Sequence, residues 1–201
     1  MRALMQALLR HRAASLLRRL RPHLPATGTL LDVGSGTGHN AWAIERATAL
    51  RVTELDVADL SQCGRPPILY GGRDLPFPDA TFEAALLLFA LHYVPDPAAT
   101  LRELRRVAAR RVLVMQSTLA GRWAKPVLAA REFVQGRGAF HAARLAGWVA
   151  APVCPLKPRR YFRRTELLQL VRQAGLRLLH LEPSHGRRLG ISRDLLVLEP
   201  E

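Results

Sequence analysis

A glycine-rich segment, residues 30–40 (LLDVGSGTGHN), holds the residues of this chain best suited to bind a small ligand. Gly34, Gly36 and Gly38 follow a short apolar run and precede the apolar spacing of a helix. Glycines at such a turn let the backbone bend sharply and approach a ligand closely. The N-terminus of the following helix adds unpaired N–H groups and a positive dipole end, which suit a carboxylate or a phosphate. The segment therefore predicts a ligand-binding loop between a strand and a helix.

The glycine spacing and one acidic residue narrow the choice of ligand. A dinucleotide fingerprint needs its third glycine three residues after the second, but His39 stands there and the third glycine is Gly38. This spacing disfavours NAD. Asp56 ends the next predicted strand, twenty residues after Gly36, where a carboxylate can accept hydrogen bonds from both hydroxyls of a ribose. Together these features predict a ribose-containing ligand other than NAD.

Three segments together resemble the class I S-adenosylmethionine-dependent methyltransferases, in particular the branch that methylates quinone precursors and other small molecules. They are LLDVGSGTG, RVTELDV and RDLPFPDATFEAALLLFALHYVPDPAATLRELRRV. The likeness runs from about Thr29 to Thr118 and resumes after Arg163. It implies an enzyme with S-adenosyl-L-methionine as cofactor. The cofactor-binding residues that it implies are Asp32, Gly34, Ser35, Gly36, Gly38, Asp56, Val57, Gly72, Arg73 and Phe89.

The chain departs from this family at the adenine end of the implied site. Aligning on residues 75–77 (LPF) puts Gly71 where the family usually has an Asp that accepts from the adenine amino group. Three alternatives follow: backbone groups near Gly72 and Arg73 hold the adenine, the affinity is reduced, or Asp74 reaches in from a shifted loop. A binding protein that keeps the fold without catalysis is the corresponding alternative for function.

Residues for the acceptor are predicted at the end of the fourth strand and in a later insertion. Methyl transfer mainly requires alignment of the acceptor and exclusion of water, and a base is needed only if the acceptor must lose a proton. His92 and Tyr93 follow the fourth predicted strand, at the edge where open α/β sheets bind ligands, and are the candidate catalytic residues. The insertion supplies the candidate substrate-binding residues His141, Trp148, Arg160 and Tyr161. Its aromatic residues can equally form a small core of their own.

The order of predicted elements indicates the fold class. Strands are predicted at residues 29–33, 51–57, 68–70, 82–89, 111–116, 176–181 and 194–198, and helices at 1–20, 40–49, 97–109 and 164–174. The alternation predicts an α/β protein with a mainly parallel seven-stranded sheet, helices on both faces and a small helical cap. With the resemblance, this is the Rossmann-like class I methyltransferase fold. The chain is predicted to form one domain, 1–201: an N-terminal helix in 1–28, a cofactor-binding core in 29–118, an acceptor-binding cap in 119–162, and a helix with strands in 163–201.

The charge of the chain indicates the kind of acceptor. Lys and Arg number 30 against 16 Asp and Glu, a net charge of +14, and residues 104–165 hold fourteen of the basic residues and one acidic residue. One basic run, Lys157, Arg159, Arg160, Arg163 and Arg164, can bind a carboxylate, a phosphate or an anionic membrane surface. We therefore predict methyl transfer to a small-molecule acceptor that is anionic or membrane-associated. An RNA or DNA methyltransferase is the less favoured alternative, since no Asn-Pro-Pro-Tyr-type motif follows the fourth strand.

Location and metal content are predicted from the N-terminus and the cysteines. The first 31 residues contain six arginines and no acid, as in a transit peptide, but they lead almost directly into the first strand, which favours a helix of the mature domain. No apolar run reaches the roughly 20 residues that a membrane span needs. Cys63 and Cys154 show neither metal-ligand spacing nor a disulfide framework, which predicts a cytoplasmic protein without a bound metal.

Overall fold

The computed structural model describes residues 2–121, 124–132, 158–184 and 190–201. Most of the predicted cap, including the candidate acceptor residues His141 and Trp148, lies outside the described residues.

The described strands form one mixed sheet. They are β1 (Thr27–Val33), β2 (Ala49–Asp56), β3 (Ile68–Leu69), β4 (Phe82–Leu88), β5 (Ala108–Leu119), β6 (Phe162–Arg163), β7 (Leu176–Ser184) and β8 (Ile191–Pro200). The sheet order is β3-β2-β1-β4-β5-β8-β7, and β6 pairs with the end of β5. β1 to β5 pair in parallel, whereas β8 is antiparallel to both β5 and β7. This confirms the Rossmann-like, mainly parallel sheet, with the short β6 as an addition to the seven predicted strands.

Four of the described helices begin and end near the predicted positions, and a fifth lies in the predicted cap, where no helix bounds were predicted. They are α1 (Arg2–Leu20), followed by a 3-10 turn (Arg21–His23), then α2 (His39–Ala47), α3 (Pro97–Val107), α4 (Ala124–Glu132) and α5 (Arg164–Gln173). α3 shows how the sequence fixes a helix start: Pro97 occupies its first turn, and the Asp96 carboxylate accepts a hydrogen bond of 3.0 Å from the Ala99 N–H. Across the described parts of the chain, no helix is both long enough and apolar enough to cross a membrane.

Two apolar layers fix the sheet in position. On one face, Leu16 of α1 and Ile44 of α2 pack in a cluster with Leu30 and other strand residues. On the other face, α3 and α5 cover Leu31 and its neighbours. Because successive residues of a strand point to opposite faces, Leu30 and Leu31 belong to different layers. The predicted placement of helices on both faces is therefore confirmed.

Arg106 of α3 secures the loop between β3 and β4. Its guanidinium donates to the backbone oxygens of Phe77 and Leu75, at 2.7 and 3.0 Å, and to the carboxylates of Asp79 and Glu103. Glu103 in turn accepts from the Leu75 N–H at 2.8 Å. This loop follows Gly71 and Gly72, so Arg106 anchors the chain that leads away from the implied adenine position.

We expect Arg106→Met to lower the free energy of unfolding by about 2 kcal/mol, because two carbonyls and two carboxylates lose a charged donor in a partly exposed setting. Urea denaturation measures the change. Arg102→Met, at an exposed position of the same helix, is the matched control and should change stability by less than about 0.5 kcal/mol. Equal effects of the two substitutions would contradict the anchoring role of Arg106.

Candidate functional site

The glycine loop joins β1 to α2 in a backbone conformation that only glycine adopts easily. Gly34, Gly36 and Gly38 have φ angles of +74°, +57° and +78°. A Cβ added at Gly34 would lie 2.8 Å from the Cβ of Ala90, whereas one added at Gly36 would have no atom within 4 Å. Gly34 therefore allows close packing within the protein, and Gly36 faces open space that a ligand can enter.

Asp56 connects this loop to the end of β2. Its Oδ2 accepts from the Gly36 N–H at 2.8 Å, and its Oδ1 accepts from the Val57 N–H at 2.7 Å. The Gly34 N–H also reaches β2, donating to the Leu55 oxygen at 2.8 Å. A carboxylate has about four acceptor positions, so Asp56 keeps capacity for further hydroxyl donors. The structure thus brings Asp56, the residue predicted to bind a ribose, into contact with the predicted loop.

Asp32 is a buried carboxylate at the carboxyl end of β1. Its residue is 1% exposed, and within the described part of the chain neither carboxylate oxygen has a hydrogen-bond partner. Burial, followed by the negative charges of Glu54 and Asp56, raises the pKa of Asp32 to about 7. An unpaired buried carboxylate costs free energy, and a cationic group placed beside it would remove that cost.

Glu54 is a buried acid of this site that the sequence analysis missed. It is paired in register with Asp32, so that Asp32, Glu54 and Asp56 continue the face of the sheet that Leu30 and Val52 cover with apolar atoms. Glu54 Oε1 accepts from Arg65 Nε at 2.8 Å. Burial nevertheless raises the pKa of Glu54, with Arg65 opposing the shift. The sequence signal that could have identified Glu54 is its position two residues before Asp56, because alternate residues of a strand share one face.

The predicted adenine-binding residues adjoin one another beside Asp56. Val57 is 38% exposed, and a Cβ added at Gly72, whose φ is +78°, would lie 3.2 Å from Val57 Cγ1. Arg73 and Asp74 are both exposed. Val57 and the Gly72 backbone can therefore form one wall of an adenine pocket, which supports the first of the three alternatives for Gly71.

Phe89 follows β4 in a strained conformation on the opposite side of the loop. Its φ is +56°, unusual for a residue with a side chain, and its N–H donates to the Met115 oxygen at 2.7 Å. The guanidinium of Arg12, on α1, lies 5.7 Å from the centre of the Phe89 ring. Such strain concentrates at functional sites, which agrees with the role implied for Phe89.

α1 also contacts the glycine loop, through residues that the sequence analysis did not single out. Gln6 Oε1 lies 2.9 Å from His39 Nε2, and Gln6 Nε2 donates to Gln62 Oε1 at 3.2 Å. His39 begins α2, and the Gln62 N–H donates to the Thr37 oxygen of the loop. The N-terminal helix therefore forms one side of the site.

His92 and Tyr93 lie next to each other after β4, at the predicted edge. His92 is 3% exposed, its ring centre is 4.0 Å from that of Tyr93, and its Nδ1 is 3.0 Å from Gln116 Nε2. Burial lowers the pKa of His92 to about 4, so its imidazole is uncharged at neutral pH. A pKa this low makes His92 a weak base at neutral pH, and the catalytic role of this pair stays a prediction.

The segment before β6 brings the predicted acceptor residues Arg160 and Tyr161 near His92, because the Arg159 N–H donates to the His92 oxygen at 2.8 Å. Arg160 is exposed, with its guanidinium 5.0 Å from the Phe162 ring centre. Tyr161 packs against an apolar cluster that contains Ala124 and Leu128 of α4. Part of the aromatic content of the predicted cap thus serves packing.

Arg164 differs from the other arginines of the basic run. Its Nε and Nη2 donate to the two carboxylate oxygens of Asp194, at 2.8 and 3.0 Å, and Asp194 is fully buried. Arg164 neutralises a buried acid, so we correct the prediction that it binds an external anion. Asp194 lies on β8, far along the chain, and therefore the sequence pattern did not indicate this pairing.

The sequence model of a family described as "Methyltransferase domain" matches residues 5–181 of the chain. Two curated proteins are similar to it. One is a malonyl-[acyl-carrier protein] O-methyltransferase of Halorhodospira halophila, 33% identical over 134 residues; the match covers 56% of this chain and 45% of the relative. The other is a demethylmenaquinone methyltransferase of Corynebacterium kroppenstedtii, 35% identical over 82 residues; this match covers 39% of this chain and 36% of the relative. The chain thus spans less than half the length of these relatives.

Among solved structures, the geranyl diphosphate C-methyltransferase of Streptomyces coelicolor, in complex with S-adenosyl-L-homocysteine, is similar to this chain with a TM-score of 0.69. The match covers 95% of this chain and 80% of that one, at 15% sequence identity. Likeness at this level of identity shows the fold alone.

Proposed function

The chain belongs to the methyltransferase-domain family of class I S-adenosylmethionine-dependent enzymes, and from this membership we propose that it transfers a methyl group from S-adenosylmethionine to a small-molecule acceptor. The observation that carries the proposal is the buried carboxylate of Asp32, without a partner among the described residues, at the end of the strand that leads into the glycine loop. The amino acid part of S-adenosylmethionine carries an ammonium group that would pair with such a carboxylate. The residues of this edge therefore fit the cofactor.

Each residue of the site has a distinct task in this proposal. When bound, S-adenosylmethionine supplies a methyl group activated by attachment to a sulfonium. Asp32 binds the ammonium group, Asp56 accepts from the ribose hydroxyls, and Val57 with the Gly72 backbone contacts the adenine. The glycine loop positions these groups, and α1 and Phe89 limit the access of water. Because alignment and dehydration account for much of the rate of such a displacement, no charged catalytic side chain is required.

We further propose that the acceptor is anionic or membrane-associated. The two similar proteins are named for malonyl-[acyl-carrier protein] and for demethylmenaquinone, which supports a small acceptor group rather than a nucleic acid. Arg160, exposed near His92, supports an anionic acceptor. Leu4, Met5 and Leu8 of α1 are 63%, 38% and 57% exposed, and the helix holds five arginines and no acidic residue, which supports contact with an anionic membrane surface. The cytoplasmic location stays a prediction.

Calorimetric titration with S-adenosylmethionine, S-adenosylhomocysteine and NAD tests the cofactor. We expect micromolar binding of the two adenosyl compounds and none of NAD. Asp56→Ala should weaken binding by on the order of tenfold or more, because two hydroxyls lose a charged acceptor and Gly36 loses its partner. The control is Asp59→Ala, which removes an exposed acid three residues along the chain and should leave the affinity within about twofold. Absence of adenosyl binding would favour the non-catalytic alternative.

Transfer of tritium from methyl-labelled S-adenosylmethionine tests the acceptor. Three candidate acceptors are assayed in separate arms: malonyl-[acyl-carrier protein], demethylmenaquinone in detergent, and total RNA. We expect label in one of the first two arms and none in RNA. Label in RNA alone would contradict a small-molecule acceptor, and its suppression by salt would indicate phosphate contacts.

A further inference from the structure

We propose that His23, His180 and Glu182 form a binding site for a divalent transition-metal ion of the zinc class, separate from the methyl-transfer site. One ligand atom from each of the three side chains lies within 4.8 Å of the other two. Two imidazole nitrogens and one carboxylate oxygen are a donor set that Zn²⁺ accepts, with water completing the coordination. The cysteine spacing predicted no bound metal, and no local pattern indicates this site, because His23 and His180 lie far apart in the chain.

The fold brings the three ligands together from two elements. His180 and Glu182 stand two residues apart on β7 and therefore point to the same face of the sheet. His23 belongs to the 3-10 turn that follows α1, the helix that covers this face. The rings of His23 and His180 are stacked, with centres 5.0 Å apart and planes inclined by 29°. Two ligands from a rigid strand and one from a short turn require little rearrangement to close on an ion.

Arg19 fixes the carboxylate of this group. Its Nε donates to Glu182 Oε1 at 2.7 Å, and its Nη2 donates to the backbone oxygens of Glu182 and Arg193 at 2.9 and 3.1 Å. Hydrogen bonds to a ligating carboxylate orient it for the metal, and the second oxygen retains its acceptor capacity. The positive charge of Arg19 repels a metal cation, so we expect the site to bind Zn²⁺ with micromolar rather than nanomolar affinity.

A metal ion here would link the C-terminal end of α1 to β7, which is the last strand of the sheet order. Since α1 also contacts the glycine loop through Gln6, the ion would help to hold the helix that forms one side of the cofactor site. The expected consequence is thermal stabilisation of the whole chain by Zn²⁺, without a requirement for metal in methyl transfer.

The test uses the full chain, purified without a polyhistidine tag, in a Cys63→Ser, Cys154→Ser background that removes competing thiolates. Calorimetric titration with ZnCl₂ at pH 7.5, where histidines are mostly neutral, should show one site of micromolar affinity. Thermal unfolding in the presence of ZnCl₂ should show a raised Tm. His180→Ala should weaken binding by on the order of tenfold or more. His11→Ala, at an exposed histidine of α1, is the matched control and should leave binding unchanged.

Two results would overturn the metal site: no saturable Zn²⁺ binding by the parent chain, or equal affinity in the parent and His180→Ala proteins. Visible absorption of the Co²⁺-loaded chain gives an independent readout, because coordinated Co²⁺ absorbs more strongly than the aqueous ion. In metal-free buffer, binding of S-adenosylmethionine should be the same in the parent and His180→Ala proteins. Failure of the metal site therefore leaves the proposed methyl transfer intact, and the reverse also holds.

Discussion

Asp32→Asn is expected to stabilise the ligand-free protein at pH 8 and, at the same pH, to weaken the binding of S-adenosylmethionine by on the order of 100-fold. The two effects have one cause. Asp32 is buried without a hydrogen-bond partner in the described part of the chain, so its charge is costly until a cation arrives. The neutral amide removes that cost, but it also removes the charge that would bind the ammonium group of the cofactor.

The pH dependence of the protein's stability follows from the direction in which the pKa of Asp32 is shifted. The pKa of Asp32 is raised to about 7 in the folded chain, against an ordinary value near 4. The folded state therefore retains a proton that the unfolded state loses, and the stability that this provides is fully present below pH 4 and lost as the pH rises to 7. Relative to the parent, Asp32→Asn should be about neutral at pH 4 and more stable by on the order of 2–4 kcal/mol at pH 8.

Urea denaturation at pH 4.5, 6 and 8, with calorimetric titration of S-adenosylmethionine at pH 8, measures both effects. Asp59→Asn removes an exposed acid nearby and serves as the control, with little expected change in either quantity. A variant that is less stable than the parent at pH 8, or that binds the cofactor with unchanged affinity, would contradict the role assigned to Asp32.

Local signals in the sequence account for much of the fold. The apolar run before the glycines, the proline and capping aspartate of α3, and Gly175 after α5 each act through neighbouring residues, and these elements begin and end near their predicted positions. Predictions were less accurate where pairing with a strand distant in the sequence sets the length of a strand. β5 was predicted at residues 111–116 but extends over Ala108–Leu119, because β4 pairs with it at Ala108 and β8 pairs with it as far as Leu119. β6 has two residues and exists through its pairing with the end of β5.

In the candidate site, too, features set by neighbouring residues were predictable, whereas contacts between distant parts of the chain were not. Loop residues and Asp56 were predictable because their spacing is set within one strand-loop-helix-strand unit. Glu54 was missed because its burial beside Asp32 depends on the register of two strands. The contacts of Gln6 with His39 and Gln62 join parts of the chain that are 33 and 56 residues apart, and no periodicity records them. The pairing of Arg164 with Asp194 was missed because the two residues lie 30 positions apart and no local pattern links them.

Gly36→Ala should abolish most cofactor binding while leaving the protein folded. A Cβ at Gly36 meets no protein atom within 4 Å, so its cost to the ligand-free chain is the left-handed backbone alone, about 1–2 kcal/mol at φ +57°. The same methyl group would occupy the open space beside Asp56 that we assign to the cofactor. We expect S-adenosylmethionine to bind on the order of 100-fold more weakly.

Gly64→Ala provides the matched comparison, because Gly64 also has a positive φ of +78° and its added Cβ would also meet no atom within 4 Å. Both variants should lose about the same stability in urea denaturation, since the backbone cost is the same. Only Gly36→Ala should lose affinity in calorimetric titration, because Gly64 lies outside the loop between β1 and α2. Equal affinity of the two variants would mean that the cofactor does not approach Gly36, and the assignment of the glycine loop would then be wrong.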